Sequence, residues 1–222
     1  MTLEIEQMLT HQEEINLHVH SEWRAQNFPW YRAIWTECAE LLDQFGWKWW
    51  KQQNSDWEQI QLELIDIWHF GLSDLLQQLD PGQDRTEALK KLANTLAQHY
   101  LEQPEAQDGT AEQFRQAIES FASTTLTTQQ FALTPFFRLM HLANLPMQVL
   151  FIQYIGKNAL NHFRQAHGYQ TGQYQKFWQG REDNEHLSDI ILELTERGTT
   201  IANLYETVYQ ALTTRYEGEA VE

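Results

Sequence analysis

Residues 62–70, with the sequence LELIDIWHF, are apolar on nearly every side when they are placed on a helix. A helix of this kind can bury its surface only at the centre of a protein, with other elements around it. The same segment nevertheless contains two acids, Glu63 and Asp66. Because burying an unpaired carboxylate costs several kcal/mol, the segment predicts a central helix whose acids are neutralised or bind a cation.

The rest of the chain also favours helices. Only 10 Gly and 5 Pro occur among 222 residues, so turn residues are scarce and helix formers dominate. We therefore predict an all-α protein, built as a multi-helix bundle, and not a sandwich or a barrel. Apolar periodicity predicts helices over residues 3–20, 29–45, 55–79, 85–101, 110–122, 128–144, 147–167, 185–197 and 199–216.

The length suits one large domain, and we expect a single all-α domain over residues 1–222. Residues 83–145 carry none of the motifs described below, and much of this stretch is rich in Gln, Thr, Ala and Glu. We predict that they form a peripheral helical insert within the domain.

Charge and cysteine content limit the possible partners and the compartment. The chain has 15 Lys and Arg against 31 Asp and Glu, a net charge of -16, which argues against nucleic acid or an anionic membrane as a partner. No apolar run approaches the roughly 18 residues of a membrane span. Cys38 is the only cysteine, and the first residues, MTLEIEQ, lack the basic and apolar regions of a signal peptide. We expect a soluble, cytoplasmic protein that needs a cation or a local basic cluster to bind a polyanion.

Two pairs of acids indicate a metal site. Glu37 and Glu40 lie three residues apart on one predicted helix, and Glu63 and Asp66 have the same spacing on the next. This spacing places each pair on one helical face, so two antiparallel helices could bring four carboxylates to one point, as Mg²⁺ prefers. Such pairs are also common on solvated helices. The apolar surroundings of Glu63 and Asp66 favour the metal site, whereas Glu37 only flanks an apolar stripe and Glu40 lies nearly opposite it.

A second cluster lies within residues 156–186. Lys157, Asn161 and Arg164 share one helical face, and Lys176 and Arg181 follow soon after. In so acidic a chain these residues predict a phosphate clamp, in which the Arg164 guanidinium grips two oxygens. The alternative is a basic helix face that balances acidic neighbours. Neutral groups for a nucleobase or a sugar are supplied by Asn158, Asn161, Tyr169 and Asn184.

Together these motifs resemble the dimeric all-α dUTP diphosphatases (dUTPases), which are related to the MazG-like nucleotide pyrophosphohydrolases. The resemblance covers about residues 12–80 and 150–190, through ExxE, WKxW, ExxD followed by IWHF, GKNALNxFRQxxGY and EDN. The acid pairs are shared by the whole superfamily, and the GKNALNHFRQAHGY stretch with Asp183 and Asn184 narrows the resemblance to dUTPases. It implies a homodimer that uses Mg²⁺ to hydrolyse dUTP, and also dUDP, to dUMP and so keeps uracil out of DNA.

The resemblance also implies roles for individual residues. Those that resemble the Mg²⁺ ligands are Glu37, Glu40, Glu63 and Asp66, and one of them would also hold the attacking water. From its position beside the apolar stripe we favour Glu37 as the base, with Glu40 as the alternative. Those that resemble phosphate contacts are Lys157, Arg164, Tyr169 and Lys176. Those that resemble nucleoside contacts are Gln12, Asn16, Trp50, Asn161 and Asn184.

Two other functions are compatible with the sequence. One is a related dCTP/dUTP or broad-specificity house-cleaning pyrophosphohydrolase, because the Asn184 carboxamide could flip to suit either pyrimidine. The other is a non-catalytic helical interaction protein. The latter would be expected to have lost the acids or the basic residues, and neither set is lost.

Overall fold

A computed structural model describes residues 1–103, 109–196 and 203–219. Over these residues the protein is mostly helical, and the all-α prediction is confirmed. The helices in the described part are α1 (Thr2–Val19), α2 (Trp30–Phe45), α3 (Trp57–Gln77), α4 (Arg85–Leu101), α5 (Ala111–Thr128), α6 (Leu133–Leu142), α7 (Met147–Ala166), α8 (Asp183–Glu196) and α9 (Leu204–Glu219). Among these helices none is long and apolar enough to cross a membrane.

Most helix boundaries lie within a few residues of the predicted ones, and the largest difference is at α5. The prediction ended this helix at residue 122, and the Ser and Thr residues that follow are poor helix formers. The helix instead continues to Thr128, since Phe121 and Thr125 are buried, and it ends where Gln129 adopts a left-handed conformation with φ of 56°. Parts of the predicted segments, residues 197 and 199–202, lie outside the described residues.

The chain divides into two compact units, residues 1–150 and residues 151–222. In the first unit α3 packs against α1 and α2, while α4 packs on α1 and α5 packs on α2. Helix α3 is central, as the sequence predicts, and its Trp68 is fully buried in a face-to-face stack on Phe136. A Cβ atom at Gly71 would lie 2.8 Å from the Phe131 ring, so the glycine permits a close approach between these segments. Phe136 of α6 and Phe131, which precedes α6, thus contribute aromatic side chains of the 83–145 stretch to the core of this unit.

The second unit contains α7 from Phe151 onward, α8 and α9. It also contains a short antiparallel hairpin, β1 (Phe177–Trp178) and β2 (Arg181–Glu182). Gln179 and Gly180 both have positive φ, as a two-residue hairpin turn of type I′ requires. The side chains of Phe163, Trp178 and Tyr216 pack edge-to-face in the core. The hairpin was not predicted, because strands of two residues are too short for a periodic signal.

Candidate active site

Three carboxylates converge between α2 and α3. One oxygen from each of Glu37, Glu63 and Asp66 lies within 4.8 Å of the other two, and we call this group the acidic cluster. Helix α2 ends at Phe45 and is followed by Gly46, whose φ of 91° favours glycine. The Asp56 side chain caps α3 by accepting a hydrogen bond from the Gln59 N–H. These local signals end α2 and begin α3, and the two helices pack against each other.

The acidic cluster is electrostatically strained without a cation. Glu63 is buried, and Glu37 and Asp66 are half-buried. Burial, together with the charges of Asp66, Glu40 and Glu63 and a hydrogen bond with Glu63, raises the pKa of Glu37 to about 8. A divalent cation would relieve this repulsion, and carboxylate oxygens are the ligands that Mg²⁺ prefers. The donor set therefore fits a hard divalent cation.

Glu40, the fourth predicted ligand, lies differently. Its side chain is exposed on α2, and it is not one of the three acids whose oxygens lie within 4.8 Å of one another. Its charge nevertheless contributes to the raised pKa of Glu37.

We expect the metal-free protein to lose stability as the pH rises from about 5 to about 8, because a carboxyl group with a raised pKa binds more protons in the folded state than in the unfolded state. Glu37→Gln cannot titrate, so its thermal midpoint in EDTA should depend less on pH than that of the parent. The exposed Glu58, on α3, supplies the control Glu58→Gln, which should keep the parental pH dependence. An identical pH dependence for Glu37→Gln and the parent would contradict the raised pKa.

The predicted nucleoside residues of α1 form a buried polar group with α3. The side-chain amides of Gln12 and Asn16 donate to the Ser73 hydroxyl oxygen at 2.9 and 3.0 Å, and Gln12 also donates to Asn16 Oδ1 at 3.1 Å. Ser73 lies seven residues after Asp66, on the same side of α3. The structure thus brings Gln12 and Asn16 to the helix that carries two of the clustered acids.

Trp50 lies in the tryptophan-rich turn between α2 and α3. It is exposed and packs edge-on against Trp47 and Trp49, at ring distances of 5.3 and 5.5 Å. Trp47 and Trp49, with residues of α5 such as Arg115, line a cavity of about 430 Å³. Trp50 does not line this cavity.

The second unit gathers most of its predicted residues around Arg164. The buried guanidinium donates from Nε and Nη2 to the two carboxylate oxygens of Asp183, both at 2.8 Å, and from Nη1 to Asn161 Oδ1 at 3.2 Å. Asn184 Oδ1 accepts from Arg164 Nη2 at 3.4 Å and from Lys157 Nζ at 3.3 Å. We call these five residues the Arg164 cluster.

Of the two other predicted phosphate contacts, Tyr169 lies near this cluster and Lys176 lies at the surface. The Arg164 guanidinium lies 5.8 Å from the Tyr169 ring centroid, while Lys176 forms an exposed ion pair with Glu182 at 3.4 Å. The Arg164 fork was predicted to bind phosphate, but in this structure both of its parallel donors bind Asp183.

Three residues of these sites received no role from the sequence: Ser73, Tyr174 and Asp183. Tyr174 donates its hydroxyl to Asp183 Oδ2 at 2.9 Å, and Asp183 is fully buried. Asp183 adjoins Asn184 in the EDN motif, which was its one sequence signal. Its pairing with Arg164, nineteen residues away, has no local pattern.

Comparison with known protein families gives a match that covers the acidic cluster and part of the Arg164 cluster. A family model described as dUTPase matches residues 4–169, which include the acidic cluster, Gln12, Asn16 and all of α7. The match covers well over half of the chain and ends before Lys176, Asp183 and Asn184. No curated protein matches the chain.

Proposed function

The chain belongs to the dUTPase family and hydrolyses dUTP and dUDP to dUMP, and we propose that it does so with Mg²⁺ bound by the acidic cluster. The family match confirms the identification made from the sequence motifs. The match also runs through the boundary at residues 150 and 151, which supports our proposal that both units belong to one dUTPase domain. That residues 83–145 form a peripheral insert stays a prediction, and the burial of Phe121 and Phe136 counts against a peripheral position.

One observation carries the metal proposal: Glu37, Glu63 and Asp66 place three oxygen ligands within 4.8 Å. When bound there, Mg²⁺ would neutralise phosphate oxygens and lower the pKa of a bound water. We propose Glu37 as the base that takes the proton from the attacking water, since it is half-buried and one of its oxygens lies within 4.8 Å of oxygens of Glu63 and Asp66. Glu40 remains a proposed ligand and an alternative base, supported by its charge acting on Glu37.

We propose that the second unit supplies phosphate contacts through Lys157, Tyr169 and Lys176. Lys157 is buried in a chain with a net charge of -16, and a buried cation is well suited to recognise an anion. We also propose Arg164 as a phosphate contact, although its Nε and Nη2 donors bind Asp183. The residues that we propose as nucleoside contacts are Gln12, Asn16, Trp50, Asn161 and Asn184.

The metal proposal is tested by assaying the purified protein with dUTP, dCTP and dTTP, in Mg²⁺ and in EDTA, with the products separated by chromatography. We expect dUMP and pyrophosphate from dUTP in Mg²⁺ only. Unchanged turnover in EDTA would contradict the metal proposal, and equal turnover of dCTP would favour the broad-specificity alternative.

We also propose that the protein is a homodimer, because several large aromatic side chains in the first unit are exposed. Trp49 is 90% exposed, and Trp35, Trp47, Trp50 and Trp57 are also exposed. Aromatic residues are enriched in the cores of interfaces.

Light scattering after gel filtration should give twice the 26.3 kDa of one chain at micromolar concentration. Trp49→Gln should shift the protein toward the monomer, since it removes a large apolar side chain that the single chain leaves in water. Leu192→Gln, which changes an exposed apolar residue of α8, is the control. A mass of one chain for the parent would contradict the dimer.

We propose that the enzyme works in the cytoplasm. The support is the single cysteine, Cys38, which is buried and unpaired and so matches a reducing compartment.

A further inference from the structure

Asp183 holds Arg164 in one orientation. Asp183 is 0% exposed and Arg164 is 9% exposed, and two parallel hydrogen bonds of 2.8 Å join them. The Asp183 N–H donates to the Lys176 carbonyl, and the Tyr174 hydroxyl donates to the Asp183 carboxylate. A bidentate pair fixed in this way leaves the guanidinium plane little freedom to rotate.

The remaining donors of Arg164 fix two carboxamides. Arg164 Nη1 lies 3.2 Å from Asn161 Oδ1, and Asn184 Oδ1 lies 3.4 Å from Arg164 Nη2 and 3.3 Å from Lys157 Nζ. Guanidinium and ammonium groups have donors and no acceptor, so the amide atom that faces them must be oxygen. A flipped carboxamide would direct an NH₂ group at a cation. The amide nitrogens of Asn161 and Asn184 are therefore directed away from the cations.

We propose that Asp183 is a positioning residue, which acts through Arg164 so that Asn161 and Asn184 present only NH₂ donors to the nucleoside. This inference rests on the proposed function, in which both asparagines contact the substrate. The ligand group is a hydrogen-bond acceptor oxygen, either a base carbonyl or a deoxyribose hydroxyl.

This orientation has a consequence for base selection. Uracil carries a carbonyl oxygen at the position where cytosine carries an amino group, which is a donor. A fixed NH₂ group can donate to the uracil carbonyl oxygen, but it cannot hydrogen-bond to the cytosine amino group, which is also a donor. A freely rotating carboxamide could suit either base. Sites that leave a polar group unpaired reject the wrong substrate strongly. If the acceptor is the base carbonyl, the Arg164 cluster thereby favours uracil over cytosine.

The first test is Asp183→Asn in the full-length protein, which replaces one carboxylate oxygen by a donor and breaks the paired hydrogen bonds. If the acceptor is the base carbonyl, we expect the ratio of kcat/KM for dUTP to that for dCTP to fall at least about tenfold, with most of the change in KM for dUTP. If it is the sugar hydroxyl, the ratio of kcat/KM for dUTP to that for dideoxyuridine triphosphate should fall instead. The matched control is Asp189→Asn on the same helix, where the exposed carboxylate accepts from Arg181 at 2.7 Å. That control should keep the parental ratio and KM.

The second test does not depend on how well Asp183→Asn folds. Asn184→Asp keeps an oxygen for Lys157 and Arg164 but replaces the NH₂ donor by an acceptor. If the substrate group is a base carbonyl, the preference for dUTP over dCTP should fall at least about tenfold. If it is a sugar hydroxyl, the preference for dUTP over dideoxyuridine triphosphate should fall instead, and both results support the fixed donor.

The inference is overturned if Asn184→Asp and folded Asp183→Asn keep both preferences within about twofold of the parent, which is a change of less than about 0.5 kcal/mol in discrimination. Failure of the proposed function would look different. In that case the parent itself would show no Mg²⁺-dependent hydrolysis of dUTP, whatever the ratios among substrates.

Discussion

Glu63→Gln is expected to abolish dUTP hydrolysis, with a loss of at least about a thousandfold in kcat/KM, equivalent to about 4 kcal/mol of transition-state stabilisation. Glu63 is the buried member of the acidic cluster, and the substitution keeps its size while removing a charged metal ligand. The helix content, measured by circular dichroism, should not change. Without metal the variant should melt at a higher temperature than the parent, because one source of repulsion in the cluster is gone.

Glu58→Gln is the matched control, since Glu58 lies on the same helix but is exposed and outside the acidic cluster. It should hydrolyse dUTP at the parental rate. If folded Glu63→Gln retained more than about a tenth of the parental kcat/KM, Glu63 would not be an essential ligand.

Trp68→Ala is expected to lower the free energy of unfolding by about 3–5 kcal/mol, the usual range for removing a large aromatic side chain from a core. Trp68 is fully buried two residues after Asp66, and its ring stacks on Phe136 at a centroid distance of 5.4 Å. Its indole Nε1 also donates to Met8 Sδ at 3.3 Å, which joins α3 to α1. Loss of the ring leaves a cavity beside the helix that carries two of the proposed ligands.

Urea unfolding followed by circular dichroism measures this effect. The control is Leu101→Ala, a large apolar side chain of the same unit that is 70% exposed, and its cost should stay below about 0.5 kcal/mol. Equal urea midpoints for Trp68→Ala and Leu101→Ala would show that α3 is not held by this packing.

Features that depend on nearby residues could be predicted from the sequence. The helical segments follow from apolar periodicity, and the pairing of Glu63 with Asp66 follows from a spacing of three residues on one helix. The central position of α3 follows from its apolar surface on all sides. Glu37 and Glu40 were both predicted as ligands from their spacing on α2. An oxygen of Glu37 lies within 4.8 Å of oxygens of Glu63 and Asp66, whereas Glu40, nearly opposite the apolar stripe, is exposed.

Features that depend on distant partners could not be predicted. The pairing of Arg164 with Asp183 and the contact of Gln12 with Ser73 join residues 19 and 61 positions apart, and no periodic pattern links them. The sequence shows that Arg164 can donate two parallel hydrogen bonds to a pair of oxygens. It does not show that those oxygens belong to a carboxylate of the same chain. The hairpin at Gln179 and Gly180 was missed for a local reason, because its strands are only two residues long.

Binding of Mn²⁺, used as a paramagnetic substitute for Mg²⁺, tests the metal proposal most directly, because it does not require turnover. Protein freed of metal with EDTA and then transferred to EDTA-free buffer would be titrated with Mn²⁺, and the free ion measured by electron paramagnetic resonance. We expect the parent and Glu58→Gln to bind Mn²⁺ equally, and Glu63→Gln to bind it at least about a hundredfold more weakly, a difference of about 2.7 kcal/mol. Equal binding by Glu63→Gln and the parent would contradict the assignment of the cation to the acidic cluster.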